Sequence, residues 1–162
     1  MASGRMCEDA TAKLFYVCYN KYMKKAQNRS LRRHSIGMLA LLIVESLLGM
    51  MINIYVQFPA GASAGQNWEF AQGQWLIWVH IVVGSLLVLG MIALYMRAAK
   101  LKARTWKISG GIASLSVIVA FVCGEEFVSN PQDILSFVMS LFFTVAVLSI
   151  FWGIYKTKKL TD

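Results

Sequence analysis

Acidic side chains and helix-breaking residues are both scarce in this 162-residue chain. It holds eight Asp and Glu, two Pro, three Cys and two His. With so little proline, long helices can run unbroken. Cys7 and Cys18 fall in the basic N-terminal part and Cys123 in the third apolar run, so no topologically sensible disulfide pair exists. That excludes disulfide exchange chemistry and a disulfide-stapled fold. Charged residues are 15% of the chain and hydrophobic ones 57%, against about a quarter and about 45–50% in soluble domains. A water-soluble globule of this size cannot hide that excess. A soluble enzyme and a disordered chain are therefore excluded. The chain has no Gly-rich phosphate loop, no metalloprotease helix and no paired carboxylates deep inside an apolar run. No catalytic residue is assigned, and the balance leans away from an enzyme.

What is present is length and hydropathy in the right proportion for membrane spans. A spanning helix needs about 20 mostly apolar residues. Four runs qualify: Ile36–Val56, Trp75–Tyr95, Ile108–Phe127 and Ile134–Ile154. The expected fold is all-α, an antiparallel four-helix transmembrane bundle over 35–162, preceded by a basic cytoplasmic segment, 1–34. Within that segment, Asp9 to Asn28 places Leu14, Cys18 and Tyr22 at four-residue steps among lysines. This predicts an amphipathic helix lying on the inner membrane surface. Residues 1–34 show no signal-peptide pattern.

The 16 Lys and Arg fall in three places only. Eight precede the first span, five lie between Arg97 and Lys107, and three follow the fourth span. The other two connections hold only acidic charge: Glu69, and the group Glu125, Glu126 and Asp133. The positive-inside rule then puts both termini in the cytoplasm of a multi-pass cell-membrane protein. The formal charge of +8 thus orients the chain and meets anionic headgroups. Nucleic acid is not an expected partner. The lipid bilayer is one, and assembly into a homo-oligomer or larger membrane complex is another. Pro59 and the Gly/Ala/Ser residues of the Gln57–Gln74 connection argue against a long regular element there. The connection at Gly124–Asp133 reads as a tight acidic turn.

Ionisable groups inside a span are costly and mark candidate sites. Glu45 and His80 lie well inside. Glu45 sits about 13 Å along the first span, near the midplane. Gly37, Gly49 and Asn53 share its helix face at four-residue multiples, a pattern that suits a helix–helix contact. Ser114, Ser116 and Thr144 lie at similar depth. One reading is a neutral Glu45 bonded to a hydroxyl or a carbonyl. The other is proton or cation handling. His80 lies about 8 Å from the outer end of the second span, with Gly84 one turn on. Met50, Met51, Cys123 and Met139 lie at the same level, and imidazole with sulfur is a ligand set for copper or haem iron. Counting depth predicts that Glu45 and His80 stand about 8 Å apart, too far for a direct bond. His34, at the inner surface, lies too far from His80 for two-histidine haem ligation by one chain.

His80-Ile81-Val82-Val83-Gly84 resembles the helix starts of haem-binding four-helix bundles such as haem A synthase and b-type cytochromes. The four spans together loosely resemble small uncharacterised prokaryotic four-helix integral membrane proteins with a Gly-containing outer loop and a Trp-rich second span. The single carboxylate in the first span is similar to that of small multidrug resistance transporters. That likeness implies proton-coupled exchange at Glu45 by a dimer. The third span departs from that family's pattern, with no aromatic residue until Phe121, and the charge asymmetry allows one orientation only. Two expectations lead. One is an accessory membrane protein with a cofactor or lipid-like ligand around His80. The other is a proton-coupled transporter centred on Glu45, with a purely structural or assembly subunit as the remaining alternative.

Overall fold

The structure is a computed structural model that describes residues 3–158. Side chains are described at Tyr19, Tyr22 and Met23, and from Lys25 to Thr157. The described residues are all-helical, with no strand: α1 Ser3–Tyr55, α2 Ala64–Gln72, α3 Trp75–Lys100, α4 Arg104–Ser129 and α5 Asp133–Lys158. Each of the four predicted runs lies on one long helix. Lys25–Tyr55, Trp75–Lys100, Arg104–Ser129 and Asp133–Thr157 are long and apolar enough to cross a membrane.

Three details differ from the sequence reading. First, the basic N-terminal segment and the first span are one helix, with no helix end at residue 34. A surface helix lying flat would need the chain to turn there. The side chains of Leu14 and Cys18, on which that reading leaned, lie outside the described residues. Second, the Gln57–Gln74 connection contains α2. Ser63 begins it as a capping box: its backbone N–H donates to Gln66 Oε1 at 2.9 Å, and its hydroxyl donates to the same oxygen. Gly61, at φ +73°, takes the left-handed turn before it. The Ser-x-x-Gln spacing was legible but obscured by the surrounding glycines. Third, Glu125 and Glu126 belong to the last turns of α4 rather than to the turn, which is confined to the residues between α4 and α5.

The long helices pack in a ring in which α1 touches α3, α3 touches α4, α4 touches α5, and α5 returns to α1. The α4–α5 contact is the most extensive. Small residues bring it close. A Cβ on Gly153 would stand 2.6 Å from Ser109 Oγ and 3.0 Å from the Trp106 ring, and one on Gly124 would stand 3.4 Å from Met139 Sδ. Buried side chains form two apolar clusters. The larger joins Leu31, Met38 and Leu42 to Leu87, Met91 and Leu94, and to Trp106, Ala113, Val117, Ala146 and Ile150. The smaller joins Ile52, Ala71, Leu76, Ile77 and Val128 beneath α2. Trp68 ties α2 to α4, its indole N–H donating to Ser129 Oγ at 3.0 Å. The remaining faces of the long helices are covered with exposed Leu, Ile, Val and Phe, including Leu47, Leu89, Leu115, Phe137 and Leu148.

Candidate functional site

Glu45 lies on α1 between the two apolar clusters. On its helix, Leu42 belongs to one cluster and Ile52 to the other. On α3 the same interval holds Gly84 and His80, between Leu87 and Ile77. The polar groups therefore fill the break in the apolar core. Glu45 is 2% exposed. Its Oε1 lies 2.9 Å from His80 Nδ1, while the His80 side chain retains 30% of its exposure. The ring does not line up with that oxygen as a hydrogen bond, and among the described residues Glu45 Oε2 has no hydrogen-bond partner. The pair is thus a close contact with acceptor capacity to spare.

This contact overturns the expected 8 Å separation. Depth counting had set the outer ends of the first two spans level. In the fold, a Cβ on Gly84 would stand 2.8 Å from Glu45 Oε1, and one on Gly49 would stand 3.5 Å from His80 Cε1. Glu45 is therefore level with Gly84, one helical turn or about 6 Å from His80. A four-bond carboxylate arm and an imidazole close that distance. The two glycines supply the room. Gly84 leaves space for the carboxylate, with Phe121 of α4 3.7 Å from the same point, and Gly49 leaves space for the imidazole.

The other expected partners of Glu45 are engaged elsewhere. Ser114 Oγ donates to Gly110 O at 2.7 Å and Thr144 Oγ1 donates to Ser140 O at 2.9 Å, each within its own helix. Ser116 is buried on α4. The small-residue face of α1 is split between neighbours. Gly49 meets α3, Asn53 Nδ2 donates to Ser136 Oγ of α5 at 2.9 Å, and Gly37 faces open space. Among the sulfur residues placed at the level of His80, Met50 is 53% and Met51 41% exposed, pointing away from the Glu45–Gly49 face. Met139 sits against Gly124 in the α4–α5 seam, and Cys123 is half-buried with a free thiol. Among the described residues, no three His, Cys, Asp or Glu side chains converge as a metal site. His34 Nε2 lies 3.3 Å from the Gly90 carbonyl oxygen. That is ten residues from His80 along α3, about 15 Å, so the two imidazoles occupy separate levels.

No protein-family model, no curated protein and no solved structure matches this chain. The chemistry of the site must carry the functional argument.

A carboxyl and an imidazole at 2.9 Å form a two-site proton binder. With one proton between them the pair is neutral overall, whether as carboxylate and imidazolium or as acid and neutral ring. That is the state least penalised by burial. Gaining a second proton, or losing the one it holds, leaves one net charge between the apolar clusters.

Proposed function

We propose that the chain is an integral membrane protein, an antiparallel four-span bundle with both termini in the cytoplasm, that moves protons coupled to a small solute through the Glu45–His80 pair. The observation that supports this most is the placement of an acid–imidazole contact at the break between two apolar core clusters. Intramembrane carboxylates and histidines in contact are the usual material of proton relays. One proton-binding group is nearly inaccessible and the other partly accessible. In this reading His80 is the member through which a proton would enter and Glu45 the buried member that receives it. The spare acceptor on Oε2 is where a solute hydroxyl, amine or water would bond.

The test is proton flux into proteoliposomes loaded with a pH-sensitive dye under an imposed pH gradient. Wild type should dissipate the gradient, and Glu45→Gln, which keeps the side chain's size and polarity, should reduce the protein-dependent rate at least about a hundredfold, the lower end of the range for losing one proton-transfer group. Equal rates for the two proteins remove the proposal. The orientation is checked separately, with impermeant labelling of cysteines introduced at Lys102 and at Gly61: only the latter should react from outside intact cells.

A second reading rests on one further feature. With Nδ1 against a carboxylate, His80 presents Nε2 as its other ligating nitrogen, the orientation that metal-binding histidines adopt. A haem, copper or lipid-like ligand at His80, in an accessory subunit of a larger complex, follows from that. A visible spectrum of dithionite-reduced protein, with metal analysis, separates the two. A Soret band or stoichiometric metal supports the cofactor reading, and neither signal leaves it without support.

A further inference from the structure

Buried hydroxyls in these helices bond a carbonyl one turn back, as those of Ser114 and Thr157 do. Ser35 and Ser109 are fully buried, yet neither hydroxyl has a hydrogen-bond partner among the described residues. Trp106 is 1% exposed with its indole N–H in the same condition, and so is the buried Nε of Arg32. Buried polar groups without partners are costly and uncommon, and here four occur near one end of the bundle. An indole and a guanidinium can only donate, and a serine hydroxyl can donate as well. We propose that Arg32, Ser35, Trp106 and Ser109 bind a small monovalent anion, of the size of chloride, where α3 ends and α4 begins.

Contacts between the helices set the levels. Met38 of α1 lies against Gly90 of α3, and Gly110 of α4 lies against the backbone of Tyr95. Numbers fall along α1 as they rise along α3, as in the Glu45–Gly84 and Gly49–His80 contacts. Tyr95 is five residues past Gly90, so its level on α1 is five residues before Met38, at Arg33. Ser109 is then level with Arg32, while Ser35 and Trp106 lie about 4–5 Å to either side. Ser35 sits on the face of α1 that carries Leu31 and Met38, both in one apolar cluster with Trp106. The Trp106 ring meets α5 through Cζ3, which would stand 3.0 Å from a Cβ on Gly153. That atom is on the edge of the indole opposite Nε1, so the N–H points away from this contact.

The acceptors nearby are already engaged. The last carbonyls of α3, at Arg97, Ala98 and Ala99, accept from the N–H groups of Leu101, Ala103 and Lys102. Among the described side chains no carboxylate lies at this level. Glu45 is ten residues beyond Ser35, about 15 Å along α1. The cluster therefore offers donors and one positive charge, and lacks an acceptor with negative charge. A monovalent anion neutralises the single guanidinium, whereas a divalent one leaves a net charge in a buried setting. Chloride accepts hydrogen bonds from several directions at once, which suits donors that arrive from both α1 and α4.

This site stands apart from Glu45 and does not rest on the proton reading. The test is equilibrium dialysis of the purified full chain in detergent against radiolabelled chloride, in a gluconate buffer of constant ionic strength. Wild type should bind chloride saturably. Trp106→Phe, which removes the N–H and keeps the ring, and Ser35→Ala should each weaken binding at least about tenfold, the loss expected of one hydrogen bond to a charged group. Arg33→Gln, at an exposed neighbour of Arg32, and Glu45→Gln should bind as wild type does. Bromide should displace the label and sulfate should not. Absence of saturable binding in wild type would mean that water satisfies these donors, and overturns the proposal. So does wild-type affinity in both Trp106→Phe and Ser35→Ala, or a loss in Arg33→Gln equal to theirs, which marks diffuse charge attraction. Size-exclusion elution and helical circular dichroism verify that each variant is folded, and Ser35→Ala, the smaller change, carries the test if Trp106→Phe is not.

Discussion

The seam between α4 and α5 and the seam between α1 and α3 are built on different terms. Along α4–α5, Gly153, Ser109, Gly124 and Trp106 allow close approach, and no charged side chain takes part in these contacts. Along α1–α3, the glycines at 49 and 84 serve a different end. They make room for a carboxylate and an imidazole at the point where the apolar core is interrupted. Small residues are a common feature of helix contacts in membranes. The comparison shows that the same residue type holds one seam together and hollows out the other. A buried acid–imidazole contact is weak evidence for stability, because desolvation offsets the attraction. Its presence in the α1–α3 seam is what the proposed proton chemistry would account for.

The sharpest way to break this contrast is to remove one member of the pair. His80→Ala leaves Glu45 buried without its partner and should destabilise the protein by about 3–5 kcal/mol, read as a lowered midpoint in detergent unfolding. Glu45→Leu/His80→Leu, which replaces the pair with apolar volume, should recover most of that stability and still lack proton flux. A double variant as unstable as the single one would mean that the pair holds the seam after all.

Next in size is Gly153→Val, which forces a side chain onto Ser109 and Trp106. Overpacking of this kind costs about 1–3 kcal/mol, and the folded fraction should keep wild-type flux per molecule. Gly84→Ala puts a methyl group at the position that would stand 2.8 Å from Glu45 Oε1. The stability cost should be smaller, about 1 kcal/mol, because a carboxylate arm can shift, while flux falls clearly. Together the two glycine variants test whether the seams divide structure from function. The smallest expected effect belongs to Ser114→Ala and Thr144→Ala. Both hydroxyls bond only carbonyls of their own helices, so stability should change by less than about 0.5 kcal/mol and flux should not change.

Much of the fold was legible from the chain. Four apolar runs of spanning length appear as four long helices, because run length and the scarcity of proline leave little else for them to form. The charge map predicts orientation by the same elementary count. The short helix α2 was missed although Ser63 and Gln66 carry a capping-box spacing, because Gly61, Gly65 and Pro59 around it favour turns. The candidate site was legible in its members and not in its geometry. Glu45, His80 and Gly84 stand out because ionisable groups and close-approach glycines are conspicuous in apolar runs. Whether they touch could not be read by counting depth, since a shift of two residues between neighbouring helices moves a side chain about 3 Å and the arms of Glu and His span more than that.

By itself, then, the sequence determined how many helices are long enough to span, where the charge lies and which polar groups must sit among apolar ones. Those properties depend on composition and on distance along one chain. Only the tertiary structure decided that Glu45 meets His80, that Ser114 and Thr144 do not take part, and that Met50 and Met51 point away from the pair. Those outcomes depend on register and helix rotation. Both are settled by how the side chains of two helices interlock, and neither is written in either helix alone.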